Sequence, residues 1–382
     1  MAYEKRKGGR LVQGITATDM KRINRKVVFD LVRRKRTVTR VELSELTGLS
    51  GPSILAIVNE FLEKGILTAT GKKNGSVGRS PVTMVFNPDV LLSVGFEFDG
   101  DRLSAGLVNL DGKIRFPSME RVPADLGENF FEMLCRKTAD LQRRAQAEGL
   151  HCTGIGLGVP GAVDVQRRVV RFAPNIGIQT PVDISSRIER LENQCGLPAF
   201  IENDVNASAI GEFYRRKIRE EIPDLLYVSI GAGIGAGLIL DGQLRHGAHG
   251  LCGEIGYSLR TVGEAVSRQN PGWLEHHLSH EALAEHFGAY RERGGASAGM
   301  VRYVVEILCP ILANLVNALD IHLVVLGGQL LLDGGERLLC GIREQLQTLT
   351  LSPIALEEGD TADAGIVGCA LLASDQLWQT IL

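Results

Sequence analysis

The sequence predicts two folds in series: an N-terminal winged helix-turn-helix (α+β), then a two-lobed α/β body. Three observations predict it. Thirteen Lys or Arg fall within residues 1–40 against three acidic residues, so this stretch carries +10 and the remaining 342 residues −13 of a formal total of −3. Two short helical patterns flank a glycine at Gly48, and from residue 91 onward strand-length apolar runs open repeatedly onto glycine-rich loops. Charge that separates by segment fits one surface that meets phosphates and another that stays away from them.

A chain of 382 residues, 44% hydrophobic and 23% charged, can bury a separate core in each of two or three domains. No apolar run approaches the roughly twenty residues of a membrane span, and no leader pattern opens the sequence, so a cytoplasmic location without a membrane partner is expected. The seven cysteines, at 135, 152, 195, 252, 309, 340 and 369, form no Cys-x-x-Cys pair. They predict neither a disulfide framework nor a thiolate metal cluster.

Along the head, apolar Ile23, Val27, Phe29, Leu31 and Val32 recur with roughly helical spacing from Asp19 to Arg34, giving a first helix with a basic face. Thr39 with Glu42 matches a capping box, and Val41, Leu43 and Leu46 supply the short helix that Gly48 ends. Ser50 opens a third helix with Pro52 in its first turn, and a stripe of Ile54, Ile57, Val58, Phe61 and Leu62 runs to Gly65. Residues 66–69 and 82–86 then read as a two-stranded wing with Lys72, Lys73 and Arg79 at its tip. Candidate DNA contacts are Arg22, Arg25, Arg40, Ser50, Ser53, Asn59, Lys72, Lys73 and Arg79. The third helix offers few long polar side chains for reading base edges, so affinity is expected to lean on phosphates.

The body opens with strands at 91–98 and 103–109 joined by a tight turn at Asp99 and Gly100. Ile155–Val159 leads into the loop from Pro160 to Asp164, and Ala199–Ile201 delivers Glu202, Asn203, Asp204, Val205 and Asn206 onto a helix start. Such loops beyond strand ends are where α/β sheets place their chemistry. Leu226–Ile230 runs into Gly231, Gly233 and Gly235; these glycines suit an anion or a tight hairpin equally. A long apolar helix at 301–319, a strand at 323–326 ending in Gly327 and Gly328, and a helix beginning near Ala364 complete a second lobe, with a ligand cleft expected between lobes. The expected division is 1–87, 88–202 with a returning helix at about 366–382, and 203–365.

These residues together resemble transcriptional repressors of the ROK family (repressors, open reading frames and kinases), a group that includes bacterial glucose, N-acetylglucosamine and xylose repressors. In the head the resemblance rests on Arg22, Ile23, Asn24, the 39–49 segment and Gly78, Arg79 and Pro81. In the body it rests on 158–164, Pro174 and Asn175, 202–206, Gly231 with Gly233 and Gly235, and 241–244. Further agreement lies in 253–256, Gly272 with Leu274 and Glu275, and Gly327 with Gly328, so that coverage runs from about residue 18 to the end. The resemblance implies a ROK body of the actin-like ATPase (ribonuclease H-like) sugar kinase fold. It places Asn175, Asn203, Asp204, Glu254, Tyr257 and Glu275 at the effector site, with Asp204 as general base if the chain phosphorylates its sugar.

Two departures from the family pattern shape the functional expectation. Where the kinases carry Asp-x-Gly-Gly-Thr, residues 97–101 read Glu-Phe-Asp-Gly-Asp, and Ala232 stands where a threonine is usual. Extra carboxylates there oppose a nucleotide's phosphates, so the chain is expected to be no enzyme and to use neither ATP nor Mg²⁺. The family's zinc ligands are replaced by Tyr257, Val266, Arg268 and Trp273, so no metal is expected, and His276 with His280 at helical spacing lacks a third ligand. The reading is a homodimeric or tetrameric regulator, most simply a repressor of carbohydrate genes, whose partners are double-stranded operator DNA and a sugar or sugar phosphate. Its alternatives are an ATP-dependent sugar kinase and a regulator controlled by a protein partner.

Overall fold

The computed structural model describes residues 16–70, 82–217, 222–259, 272–288, 290, 295–360 and 363–381. The chain divides into two compact units, residues 1–87 with 379–382, and residues 88–378.

In the first unit, α1 (Ala17–Lys35) starts from a capping box between Thr16 and Asp19, and β1 (Thr37–Val38) follows it. The expected box at Thr39 and Glu42 opens α2 (Arg40–Thr47), which Gly48 ends in the left-handed region at φ +69°. Next come α3 (Gly51–Glu63), β2 (Leu67–Thr70) and β3 (Thr83–Phe86). The two strands expected from the sequence gain a third, because β1 pairs antiparallel with β3 in the order β1-β3-β2. Phe29 fixes the core by meeting Phe61 and Phe86 edge-on at 6.4 and 5.9 Å. Ile23 and Val27, expected on the buried stripe, are about half exposed, and Val28 is buried instead. The expected Phe29, Leu31 and Val32 are buried, so the departure is confined to Ile23 and Val27. The expected wing tip, with Lys72, Lys73 and Arg79, lies outside the described residues.

The second unit begins with the meander β4 (Leu92–Phe98), β5 (Arg102–Asn109) and β6 (Ile114–Arg121), crosses over through α4 (Glu128–Ala147), and returns in β7 (Cys152–Val159). Short strands β8 (Ala162–Asp164), β9 (Val169–Phe172) and β10 (Val182–Asp183) form a side sheet before α5 (Ser185–Cys195) and β11 (Ala199–Asn203). The first large sheet has the order β11-β7-β4-β5-β6. Then α6 (Asp204–Lys217) leads to β12 (Leu225–Ile230), β13 (Ile234–Leu240) and β14 (Gln243–Leu244). After α7 (Trp273–Leu278), α8 (His280–Phe287) and α9 (Ala298–Leu319) come β15 (Leu323–Gly327), α10 (Gln329–Leu349), β16 (Ala355–Glu358) and α11 (Ala364–Ile381). The second large sheet has the order β14-β13-β12-β15-β16. By length and composition α9 could cross a membrane, which the sequence reading did not expect. Its Val304, Leu308, Leu312 and Val316 are instead buried in the core with Leu326, Leu339 and Ile342.

Glycine sets how closely these layers approach. A Cβ at Gly156 on β7 would stand 1.7 Å from the Cys369 carbonyl oxygen, and one at Gly95 on β4 would stand 2.2 Å from that of Ile366. Gly368 on α11 meets the Ala207 carbonyl of α6 in the same way, at 1.6 Å. Thus α11 lies backbone against backbone on the first sheet and on α6, and Ser93 shares a buried hydrogen bond with Ser374 at 3.0 Å. Gly235 and Gly237 lie inside β13, paired with Ser229 and Tyr227, and both pack closely against α6.

Candidate functional site

A cleft of about 440 Å³ opens in the second unit, lined by both large sheets and by the start of α6. All six expected effector residues, Asn175, Asn203, Asp204, Glu254, Tyr257 and Glu275, line it. They do not stand in it as equals. Asn203 Nδ2 donates to the Gly161 carbonyl and to Asp204 Oδ1, both at 2.9 Å, while its Oδ1 accepts from the Asn206 N–H at 2.9 Å. Both amide hydrogens are used, which leaves at most one lone pair for a ligand. Asn203 therefore mainly aims its neighbour.

Asp204 lines the cleft, and its Oδ1 accepts from Asn203 and from the Val205 N–H at 2.9 Å, so that both of these bonds fall on one carboxyl oxygen. Burial, opposed by the Val205 N–H and reinforced by the charges of Asp99 and Glu254, pushes Asp204 up to about 7. Glu254 rises to about 7 through burial and then the Glu275 charge. Tyr257, whose ring lies 6.2 Å from that of Phe172, is pushed up to about 12 by burial and the same two glutamates. The arrangement presents acceptors that receive hydroxyl protons.

Glu275 has a second task. Its Oε2 accepts from the Gly272 N–H at 3.2 Å as an N-terminal cap for α7, and its Oε1 accepts from the Ile234 N–H at 3.2 Å. It thereby holds the Gly231–Gly233 loop, where a Cβ at Gly233 would meet Asn175 Nδ2 at 2.9 Å. Asn175 itself is carried on the short turn Pro174–Ile176.

Glu97, which also lines the cleft, is pushed up to about 8 by burial and then by Asp204 and Asp99. It is thus mostly neutral at pH 7. Asp99 is bonded to the Arg102 guanidinium at 2.6 and 3.0 Å, and Asp101 lies 3.8 Å from it. The negative charge that the sequence reading counted against phosphate at 97–101 is in large part protonated or paired.

Among the described residues, no group of three or more His, Cys, Asp or Glu side chains could hold a metal ion. Of the family's zinc positions, Tyr257 and Trp273 offer no fitting donor, Trp273 packing edge-on to His277 at 4.5 Å, while Val266 and Arg268 lie outside the described residues. His276 and His280 do not share a helix, because α7 ends at Leu278 and extended Ser279 starts α8. His280 Nδ1 instead meets the Tyr290 hydroxyl at 2.8 Å.

In the first unit, several expected DNA contacts bond within the chain. Arg25 pairs with Glu60 at 2.8 Å, Arg40 donates to Asn59 at 3.2 Å, Ser50 and Ser53 share a hydrogen bond at 2.9 Å, and Arg22 lies 3.6 Å from Asp19. Sequence reasoning missed one pair altogether. Glu202, 1% exposed, bonds His246 at 2.7 Å, and a glutamate preceding Asn203 carries no spacing signal for a histidine 44 residues later.

Residues 93–376 match the sequence model of the ROK family. The xylose repressor of Caldicellulosiruptor bescii is 31% identical over 271 residues, 70% of this chain and 66% of that one, so the match spans slightly under two thirds of that relative. The crystal structure of a ROK family transcriptional regulator, a homologue of the E. coli MLC protein, superposes with a TM-score of 0.76 at 20% identity, covering 95% of this chain and 98% of that one. A ROK family glucokinase from Streptomyces griseus, solved with glucose and AMPPNP, gives 0.60 at 26% identity over 74% of this chain and 99% of that one. This last likeness corrects the expectation that the chain is no enzyme. The fold is one that supports sugar phosphorylation, and the charges at 97–101 do not decide against it.

Proposed function

The chain belongs to the ROK family, and from that premise we propose that it is a DNA-binding regulator of carbohydrate genes whose affinity for its operator is set by a sugar in the cleft. The observation that carries the reading is the pairing, in one chain, of the α2–Gly48–α3 unit with a cleft where Asp204 Oδ2 and the Glu254 carboxylate are open acceptors. Residues 1–87 act as a winged helix-turn-helix in which α3 enters the major groove, and residues 88–202 and 203–365 act as the lobes of the body. Arg22, Arg25, Arg40, Ser50, Ser53 and Asn59 face DNA, with Lys72, Lys73 and Arg79 from the wing. The ion pair of Arg25 with Glu60 then orients a guanidinium toward phosphate. A homodimer in the cytoplasm places two heads on two half-sites, and sugar and operator affinities are coupled in both directions.

Within the cleft, Asp204 and Glu254 accept hydroxyl protons, Asn203 aims Asp204, and Asn175, Tyr257 and Glu275 line the ligand. Selection of genomic DNA fragments by the full-length protein, with and without D-xylose, D-glucose, N-acetyl-D-glucosamine and their phosphates, tests the reading. One palindromic site lost or strengthened with one sugar is expected. Fragment recovery that no sugar changes would refute the coupling.

A second reading is favoured by Asp204 itself, a carboxyl near 7 with one oxygen open to the cleft, which suits a general base toward a sugar hydroxyl. ATP with Mg²⁺ would supply the transferable phosphoryl group. The Gly231–Gly233 loop and Gly328 at the start of α10 line the cleft and fit an anion, and Glu97, Asp99 and Asp101 are the carboxylates near it. Release of ADP dependent on both sugar and Asp204 is the measurement that decides it.

A further inference from the structure

We propose that Glu202 and His246 form an ionic pin between the two large sheets of the body, and that this pin holds Glu254 opposite Asp204 in the geometry that binds ligand. The inference rests on reading the cleft as the effector site, and it assigns a positioning role to two residues outside the ligand shell.

Glu202 lies on β11 of the first sheet, directly before Asn203 and Asp204. Its Oε1 accepts from the Asn203 N–H at 2.9 Å and from Asn206 Nδ2 at 3.0 Å, and its Oε2 meets His246 Nε2 at 2.7 Å. With 1% exposure, this carboxylate needs a compensating charge, since removing one partner of a buried pair leaves the other uncompensated. The charged group that acts on His246 is Glu202, and it holds the imidazole above its ordinary range.

His246 belongs to the other sheet. It follows β14 and begins a loop tied back at both ends, by the Arg245 N–H to the Leu238 carbonyl at 2.8 Å and by the Ala236 N–H to the Gly253 carbonyl at 2.8 Å. Midway, Gly250 passes so close to β8 that a Cβ would stand 2.9 Å from the Val163 carbonyl. At the far end, Gly253 lies against Ala236, where a Cβ would stand 1.8 Å from the carbonyl oxygen, and Glu254 follows at once. One side chain near the start of this loop therefore reaches across to the strand that leads into Asp204, while the loop's end carries Glu254. The imidazole is 45% exposed, so solvent protons reach it while its partner stays enclosed.

The test compares the full-length protein with H246Q, E202Q and the double variant H246Q/E202Q, by hydrogen exchange of residues 245–253 and by titration with D-xylose and D-glucose at pH 6 and pH 8.5. H246Q keeps a donor but loses the charge. It is expected to speed exchange in the loop and to weaken sugar binding by at least about fivefold at pH 6, with the deficit smaller at pH 8.5, because the wild-type histidine loses its own charge as pH rises. Adding E202Q removes the uncompensated carboxylate and is expected to restore most of both losses, which a merely destabilised loop would not show. Loop exchange and sugar affinity equal in H246Q and wild type would overturn the pin while leaving the effector reading intact. A wild type that binds neither sugar but shows the exchange pattern and its rescue would keep the pin and count against the effector reading.

Discussion

Replacing Asp204 with Asn separates recognition from scaffolding at a single atom. Oδ1 accepts from Asn203 and Val205 at 2.9 Å, and an amide oxygen can keep both bonds, so the start of α6 should hold. Oδ2 becomes an NH₂ group, which donates and cannot accept a sugar hydroxyl. At pH 8.5, above the value of about 7 to which the carboxyl is raised, a hydrogen bond to the charged group contributes about 1.5–3 kcal/mol, so sugar affinity is expected to fall roughly 10- to 150-fold. Any sugar-dependent ATP turnover should fall by about 10² to 10⁴, since that is the usual contribution of a positioned base. Calorimetric titration with the sugar that shifts operator binding gives the first number, and thermal unfolding controls for the scaffold. A dissociation constant within twofold of wild type, with an unchanged melting temperature, would refute the assignment of Oδ2 as a ligand acceptor.

Asn203→Ala removes the partner of the Gly161 carbonyl and the Asn206 N–H together, and should lower the melting temperature as well as sugar affinity, while Glu254→Gln should lower affinity without lowering the melting temperature; thermal scans beside titrations distinguish the two. Gly156→Ala drives a methyl to 1.7 Å from a backbone oxygen of α11, and loss of soluble body or destabilisation of at least about 3 kcal/mol is expected in denaturant unfolding. The pH dependence of stability also has a fixed sign. Glu97, Asp204 and Glu254 have folded values raised to about 8, 7 and 7, so the folded state holds protons that the unfolded chain has released, and stability should fall as pH rises from about 4.5 to 8. His246, also raised, adds a loss in the same direction as pH passes its folded value. Calorimetry across that range should show a flatter slope in the Asp204→Asn/Glu254→Gln double variant, and an unchanged slope would contradict the shifts.

Local signals were legible in the sequence wherever one residue and its near neighbours decide the outcome. The boxes at Thr39 and Gly48 fall where capping chemistry puts them, and Asn203 and Asp204 sit at the strand-to-helix junction that the apolar run before them announces. What distance decides was hidden. Counting carboxylates at 97–101 could not show that Arg102 bonds Asp99 or that burial protonates Glu97, and so the sequence read as hostile to phosphate. For Asn203, likewise, the sequence could not show the three bonds it makes within the chain. In α1 the expected Phe29, Leu31 and Val32 are buried, but spacing alone could not show that Ile23 and Val27 stay exposed, since what covers that helix, Phe61 and Phe86 among it, comes from elsewhere in the chain.

The backbone contact of α11 with the first sheet sets a timetable for making the molecule. Ser93 and Ser374 are bonded across 281 positions, and the glycines at 95 and 156 leave room there for the backbone of α11 itself. At about 5–20 residues per second, a ribosome takes roughly 15–60 s to travel from the strand to the helix that covers it. Apart from residues 379–382, which cluster with it, the α1–α3 unit is built from residues up to 87 and can largely fold long before then, whereas the body must wait with one face of its first sheet uncovered. A nascent chain would thus acquire its helical head well before its ligand cleft, and a chaperone that shields β4 and β7 would have its longest task between those two events.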